Sequence, residues 1–160
     1  MSIDPAFLGT REVASAEGMQ HLGFVIGEQL QPGDLLVLTG PLGAGKTTFT
    51  RGLAEGLGVR GPVQSPTFVI ARTHPSLVGG APLVHVDAYR LGSAVELDDL
   101  DIDFAHSVVV IEWGREMAPA IADQWWDIEL ERPVGGDEDL ADEDLDADAP
   151  RIVTIECNVK

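Results

Sequence analysis

The sequence predicts a three-layer α/β fold with a largely parallel central sheet and a C-terminal β pair, and three features of its 160 residues carry that prediction. Apolar runs of strand length recur at Leu35–Leu38, Leu83–Asp87 and Val108–Ile111, with helix-compatible stretches between them. Strands that alternate with helices imply a layered, mostly parallel sheet. The first run leads directly into Gly40-Pro41-Leu42-Gly43-Ala44-Gly45-Lys46-Thr47, a match to G-x-x-x-x-G-K-[ST]. A helix-compatible run follows to Leu57, and strand, glycine loop and helix in that order make the fold P-loop NTPase-like. Finally, Trp126–Glu131 and Arg151–Asn158 alternate as a closing pair of strands should.

Taken in order, Ala6–Ala14 reads as a short edge strand or an irregular lead-in. Ser15 is placed to cap a helix running to about Leu30, in which Met19, Leu22, Ile26 and Leu30 share one apolar face. Gln31-Pro32-Gly33-Asp34 is a turn. The strand Leu35–Thr39 is apolar throughout, as one covered on both faces should be. In the helix after the glycine loop, Phe49, Leu53 and Leu57 share a face, and Gly58 is a natural stop. Gly61–Thr67 is a loop, Phe68–Arg72 a strand and Leu77–Pro82 a hairpin-like turn. Ser93-x-x-Glu96 is a capping box opening a short acidic helix.

Length points to one domain over residues 1–160. The net charge of −17 argues against direct binding of DNA or RNA, because such a chain repels a polyanion. Eight of the acids lie between Gly135 and Asp148 with no base among them, and 135–149 reads as a solvated, mobile insertion. Cys157 is alone, which excludes an internal disulfide, and it reads as a half-buried strand residue. The N-terminus lacks a basic region followed by an apolar one, and no apolar run approaches a membrane span. A cytoplasmic protein is therefore expected, with no membrane association.

The glycine loop assigns the chemistry. Glycines let successive backbone N–H groups turn toward one anion, and the helix start adds its positive dipole end. Gly40, Leu42, Gly43, Ala44, Gly45, Lys46, Thr47 and Thr48 are the candidate phosphate-binding residues. Lys46 can reach the β- and γ-phosphates, and the Thr47 hydroxyl can ligate Mg²⁺. Two strands end on carboxylates, Asp87 and Glu112, and ligands in such sheets bind at the carboxyl ends of strands. Glu112 is the candidate for Mg²⁺; Asp87 competes for that role or orients the attacking water. Thr67, in Ser65-Pro66-Thr67, is placed to sense the γ-phosphate. His85 shares a strand face with Asp87, so it either orients that carboxylate or merely packs. Trp113 either borders a base pocket or belongs to the core, and Trp125 and Trp126 are packing residues.

The segments GPLGAGKTT, SPTF, HVDAYR and VVVIEWG, in this order and spacing, resemble the TsaE (YjeE) family from about Ser15 to Trp126. The resemblance implies an ATPase needed for N6-threonylcarbamoyladenosine formation on tRNA, one that joins a TsaB–TsaD complex and supports its turnover. It implies ATP and Mg²⁺ as cofactors, with Gly43 to Thr48 on the phosphates, Thr47 and Glu112 on the metal, Asp87 assisting hydrolysis and Thr67 reporting nucleotide state. The tRNA would be held by the partners, which suits so acidic a chain. Pro41 stands where that loop commonly has an acid, and Ala88 where Leu is usual. Slow hydrolysis alone and faster hydrolysis with partners is expected. A small-molecule kinase on the same fold is an alternative, but it would need an Arg-rich lid and the eight arginines are scattered. A nucleotide-dependent, non-catalytic binding module is another. A GTPase is disfavoured, since the guanine-reading motif needs a second internal Lys and only Lys46 and the terminal Lys160 exist.

Overall fold

A computed structural model describes residues 2–41, 44–61, 71–91 (the side chain of Arg90 excepted), 96–97, 99–132 and 150–160. Seven strands form one sheet: β1 (Gly9–Val13), β2 (Leu35–Thr39), β3 (Ala71–His74), β4 (Leu83–Asp87), β5 (Val108–Glu112), β6 (Gln124–Glu131) and β7 (Arg151–Val159). Their spatial order is β1-β7-β6-β2-β5-β4-β3. The middle is parallel: β2 pairs with both β5 and β6, and β4 with β5. The edges are antiparallel, β3 on β4 at one side and β6, β7 and β1 at the other. The expected closing pair is thus β6–β7, and β6 also extends the parallel sheet through β2.

Both faces are covered, which makes the arrangement three-layered. On one face Leu36, Leu38, Val108, Val110, Ile128, Val153 and Ile155 meet two helices, α1 (Ala16–Gln29) and α2 (Lys46–Leu57). On the other, Leu35, Val37, Val84, Val86, Val109 and Ile111 meet Leu97, Leu100, Ile102, Phe104 and the short helix α3 (Ala118–Ile121). The uniform apolarity of β2 and β5 follows, since each strand buries both sets of alternating side chains. Trp125 and Trp126 are buried on opposite faces, as packing residues.

Helix ends sit where the caps place them. The Ser15 hydroxyl accepts from Gly18 N at 3.1 Å. Gly58 closes α2 in a left-handed conformation, φ 82°, and its N–H donates to Ala54 O and Glu55 O. Asp34 N donates to Gln31 O at 3.1 Å and closes the turn into β2. The α1–α2 contact is closer than side chains allow. A Cβ added at Gly23 or Gly27 would lie 2.2 Å from a carbonyl oxygen of α2, and one at Gly52 or Gly56 would lie 1.9 or 2.1 Å from one of α1. Two Gly-x-x-x-Gly pairs face each other, and backbone packs on backbone. Amphipathicity alone does not reveal this crossing, because it weighs only the large apolar side chains.

Some elements differ from expectation. The N-terminal segment is both of the things weighed for it: a 3₁₀ turn at Pro5–Phe7 capped by Asp4, then the edge strand β1. Among the described residues β3 spans Ala71–His74, which runs two residues past the expected end at Arg72; residues 68–70 of the expected strand Phe68–Arg72 lie outside the described region. It is an edge strand with two exposed side chains, so the apolar signal that marks the central strands is weak there. α3, with Pro119 in its first turn, was not legible as a helix. Ser93, the loop residues 62–67 and the acidic stretch 135–149 also lie outside the described residues. Cys157 is half-buried on β7. Among the described residues no helix is long and apolar enough to cross a membrane.

Candidate functional site

The sheet brings the described members of the expected set to one edge. β2 delivers Gly40, where a Cβ would lie 2.6 Å from the Leu130 carbonyl oxygen, so this glycine is required by the close passage of β6. Ala44 is buried and its N–H closes a turn onto Pro41 O at 3.1 Å. Gly45 caps α2 with φ 103°, a conformation that side chains resist. Lys46, Thr47 and Thr48 are the first three residues of α2, all half-buried, and among the described residues no side chain caps the helix start. A helix start leaves backbone N–H groups free for an anion. Leu42, Gly43 and Thr67 lie outside the described residues.

The two carboxylates are brought together by register. β4 and β5 run parallel with Asp87 opposite Glu112, and Leu38 of β2 stands opposite Glu112 on its other side. Asp87 Oδ1 accepts from Tyr89 N at 3.0 Å and caps the 3₁₀ turn Ala88–Arg90. Asp87 therefore serves a local structural purpose as well as facing the site.

Glu112 is buried between two partners. Lys46 Nζ lies 3.6 Å from its Oε1, an ion pair too long for a good hydrogen bond. His85 Nε2 lies 2.8 Å from its Oε2. Burial pushes the Glu112 carboxyl up, but the His85 hydrogen bond and the Lys46 charge together outweigh it and hold the group below its usual range. Burial lowers the Lys46 ammonium, against the opposing pull of Glu112 and, more weakly, of Asp87. His85 thus supports Glu112. The expectation that it orients Asp87 placed it on the correct face but on the wrong carboxylate.

Of the two places the sequence leaves open for Trp113, a base pocket or the core, it is not in the core. It is 40% exposed, and the Lys46 ammonium sits 4.4 Å from its ring centroid. The exposed Tyr89 ring packs edge-on against it at 5.9 Å. Trp113 adopts φ 64°, unusual for a bulky residue, while its N–H donates to Leu38 O at 2.9 Å and ties β5 to β2. A Trp immediately after a strand-end acid was the available signal; the left-handed turn that aims it at Lys46 has no sequence signature.

The arrangement offers a cation, an ionised carboxylate held by a histidine, a second carboxylate beside it and a hydroxyl on the first turn of a helix. Oxygen donors of this type suit a hard divalent cation, and the cation with the helix start suits a polyphosphate.

The family described as "Threonylcarbamoyl adenosine biosynthesis protein TsaE" matches residues 13–138. The chain is 55% identical over 128 residues to a protein of Streptomyces coelicolor named tRNA threonylcarbamoyladenosine biosynthesis protein TsaE, covering 78% of this chain and 84% of that one. It is 46% identical over 142 residues to the protein of the same name in Mycobacterium tuberculosis (83% of this chain, 84% of that one) and 41% identical over 111 residues to that in Bacillus subtilis (68% and 67%). The fold is similar to the crystal structure of YdiB from Bacillus subtilis, with a TM-score of 0.64 and 30% identity, over 94% of this chain and 85% of that one. The chain belongs to the TsaE family.

Proposed function

We propose that this protein acts in tRNA threonylcarbamoyladenosine biosynthesis as an ATP-binding and ATP-hydrolysing subunit working with TsaB and TsaD. The observation that carries the chemistry is the convergence of Lys46, Glu112 and Asp87 at the carboxyl ends of β2, β5 and β4, at the start of α2. The family's printed description supports the pathway. The site's polarity supports a Mg²⁺–ATP substrate: its cation, hydroxyl and carboxylates match phosphates and a hard metal.

In this reading Lys46 leaves Glu112 and Trp113 for the β- and γ-phosphates. Its long ion pair and exposed ring contact are weak enough to exchange. The free N–H groups at the start of α2, through Gly45 to Thr48, hold phosphate oxygens. Thr47 and Glu112 hold Mg²⁺, which when bound neutralises charge on the transferring phosphoryl group. Asp87 orients the attacking water, and Thr67 reports the γ-phosphate to the partners. The protein works in the cytoplasm, and the tRNA is held by the partners, in keeping with the net charge of −17.

The test is ATP hydrolysis and threonylcarbamoyladenosine synthesis by the intact protein and by Asp87→Ala and Glu112→Ala, each with and without TsaB and TsaD. Loss of either carboxylate lowers partner-stimulated hydrolysis by about a hundredfold or more. Unchanged rates in both variants would refute the site. Full tRNA modification without hydrolysis would instead make the protein a nucleotide-dependent binding module.

A further inference from the structure

His85 is an expensive residue for its position. It lies on β4 between Val84 and Val86, in an inner strand of the sheet, and it has no solvent exposure. Leucine or valine would fill such a place with no polar group to satisfy. One ring nitrogen, Nε2, meets Glu112 Oε2 at 2.8 Å, while Nδ1 is buried with no hydrogen-bond partner among the described residues. A buried N–H left unpaired is costly, whereas a bare lone pair costs less. The ring is therefore the neutral tautomer with its proton on Nε2, donating to a carboxylate that must be ionised to accept it.

The geometry of this bond is set by register. His85 stands opposite Val110 on β5, two residues before Glu112, so the imidazole reaches diagonally along one sheet face. A glutamate's terminal torsion is broad and has no strong preference of its own. With Oε2 fixed by His85, only Oε1 is left for Lys46, and it makes the long 3.6 Å pair. Without His85 the carboxylate is free to rotate and close on the ammonium with both oxygens, which would take metal-binding and phosphate-binding groups out of use together.

We infer that His85 is a positioning residue: it holds the Glu112 carboxylate in one orientation, in which it would be available to a divalent cation, and keeps one oxygen of that carboxylate off Lys46. This rests on the nucleotide reading above and deepens it. Outer partners that fix a ligating carboxylate commonly matter about 10–100-fold in metal affinity.

The experiment measures binding of the β,γ-imido analogue of ATP by calorimetry, with and without Mg²⁺, so that no turnover is involved. In the intact protein Mg²⁺ tightens binding. In His85→Leu that gain shrinks by about tenfold, and affinity for the metal-free analogue falls as well, because the freed carboxylate closes on Lys46. His85→Gln restores the gain, since its amide nitrogen can stand where Nε2 stood. His85→Asn does not, since it is too short to reach Glu112; the Gln and Asn pair decides the matter even if the Leu variant fails to fold. In a Glu112→Gln background His85→Leu has no further effect on the metal-dependent gain. An undiminished gain in His85→Leu, or equal behaviour of the Gln and Asn variants, would overturn the positioning role alone. No binding by the intact protein under either condition would overturn the nucleotide reading itself.

Discussion

Gly52→Ala tests whether the α1–α2 crossing rests on backbone contact. The new Cβ would lie 1.9 Å from the Gln20 carbonyl oxygen, where ordinary contact begins at 3.4 Å. The shortfall is about 1.5 Å, and no flexible side chain is present to yield, because the obstacle is the main chain of α1. The helices must therefore separate. Over-packing of this kind costs about 3 kcal/mol at the upper end of its usual range. Alanine's better helix propensity returns about 1 kcal/mol, leaving a net loss of about 2 kcal/mol. For a chain of this size that is a fall of about 4–8 °C in melting temperature. The control is Gly18→Ala in the first turn of α1, whose Cβ meets only Val13 Cγ1 at 3.3 Å and Ser15 Oγ at 3.5 Å. It should be neutral or stabilising by up to about 1 kcal/mol. Thermal unfolding followed by circular dichroism compares the two. Equal melting temperatures for Gly52→Ala and Gly18→Ala would refute the reasoning. Because α2 begins with Lys46, the same displacement should also weaken ATP binding.

Two further outcomes follow from the site and its surroundings. Addition of ATP should change the protein's tryptophan emission, because Lys46 leaves the Trp113 ring while Trp125 and Trp126 stay buried; the change should vanish in Trp113→Phe, and an absent change in the parent, or one that persists in that variant, would contradict release of Lys46 from the Trp113 ring as its source. Asp127 is buried on β6, and that burial raises its carboxyl above the ordinary 3.8 despite Arg115 at 3.8 Å. A raised value means stability that is full when the group is protonated and lost as pH rises through the folded value. Asp127→Asn should therefore melt higher than the parent at pH 7, with the gap closing as pH falls toward 3.8; a lower melting temperature at pH 7 would contradict this.

Much of the frame was legible in the sequence because burial on both sides leaves no alternation to confuse. Leu35–Leu38 of β2 and Val108–Ile111 of β5 are buried and apolar throughout, and the strand-end acids Asp87 and Glu112 mark the functional edge. Cap chemistry placed the start of α1 at Ser15 and the end of α2 at Gly58. What escaped depends on registers and distances that one strand or helix does not carry. His85 and Glu112 are separated by 27 residues and meet only because β4 and β5 pair with His85 opposite Val110. The facing pairs Gly23/Gly27 and Gly52/Gly56 were visible as spacings, but their meaning requires knowing that the two helices touch. Trp113 reaches Lys46 through a positive φ, a conformation its residue type does not announce.

Calorimetric titration of ATP into the protein in excess Mg²⁺, repeated with Lys46→Ala, probes the nucleotide site most directly. Saturable one-site binding that disappears in the variant is the predicted result. Absence of heat from the parent protein, or undiminished binding by Lys46→Ala, would contradict the placement of a phosphate-gripping cation at the start of α2.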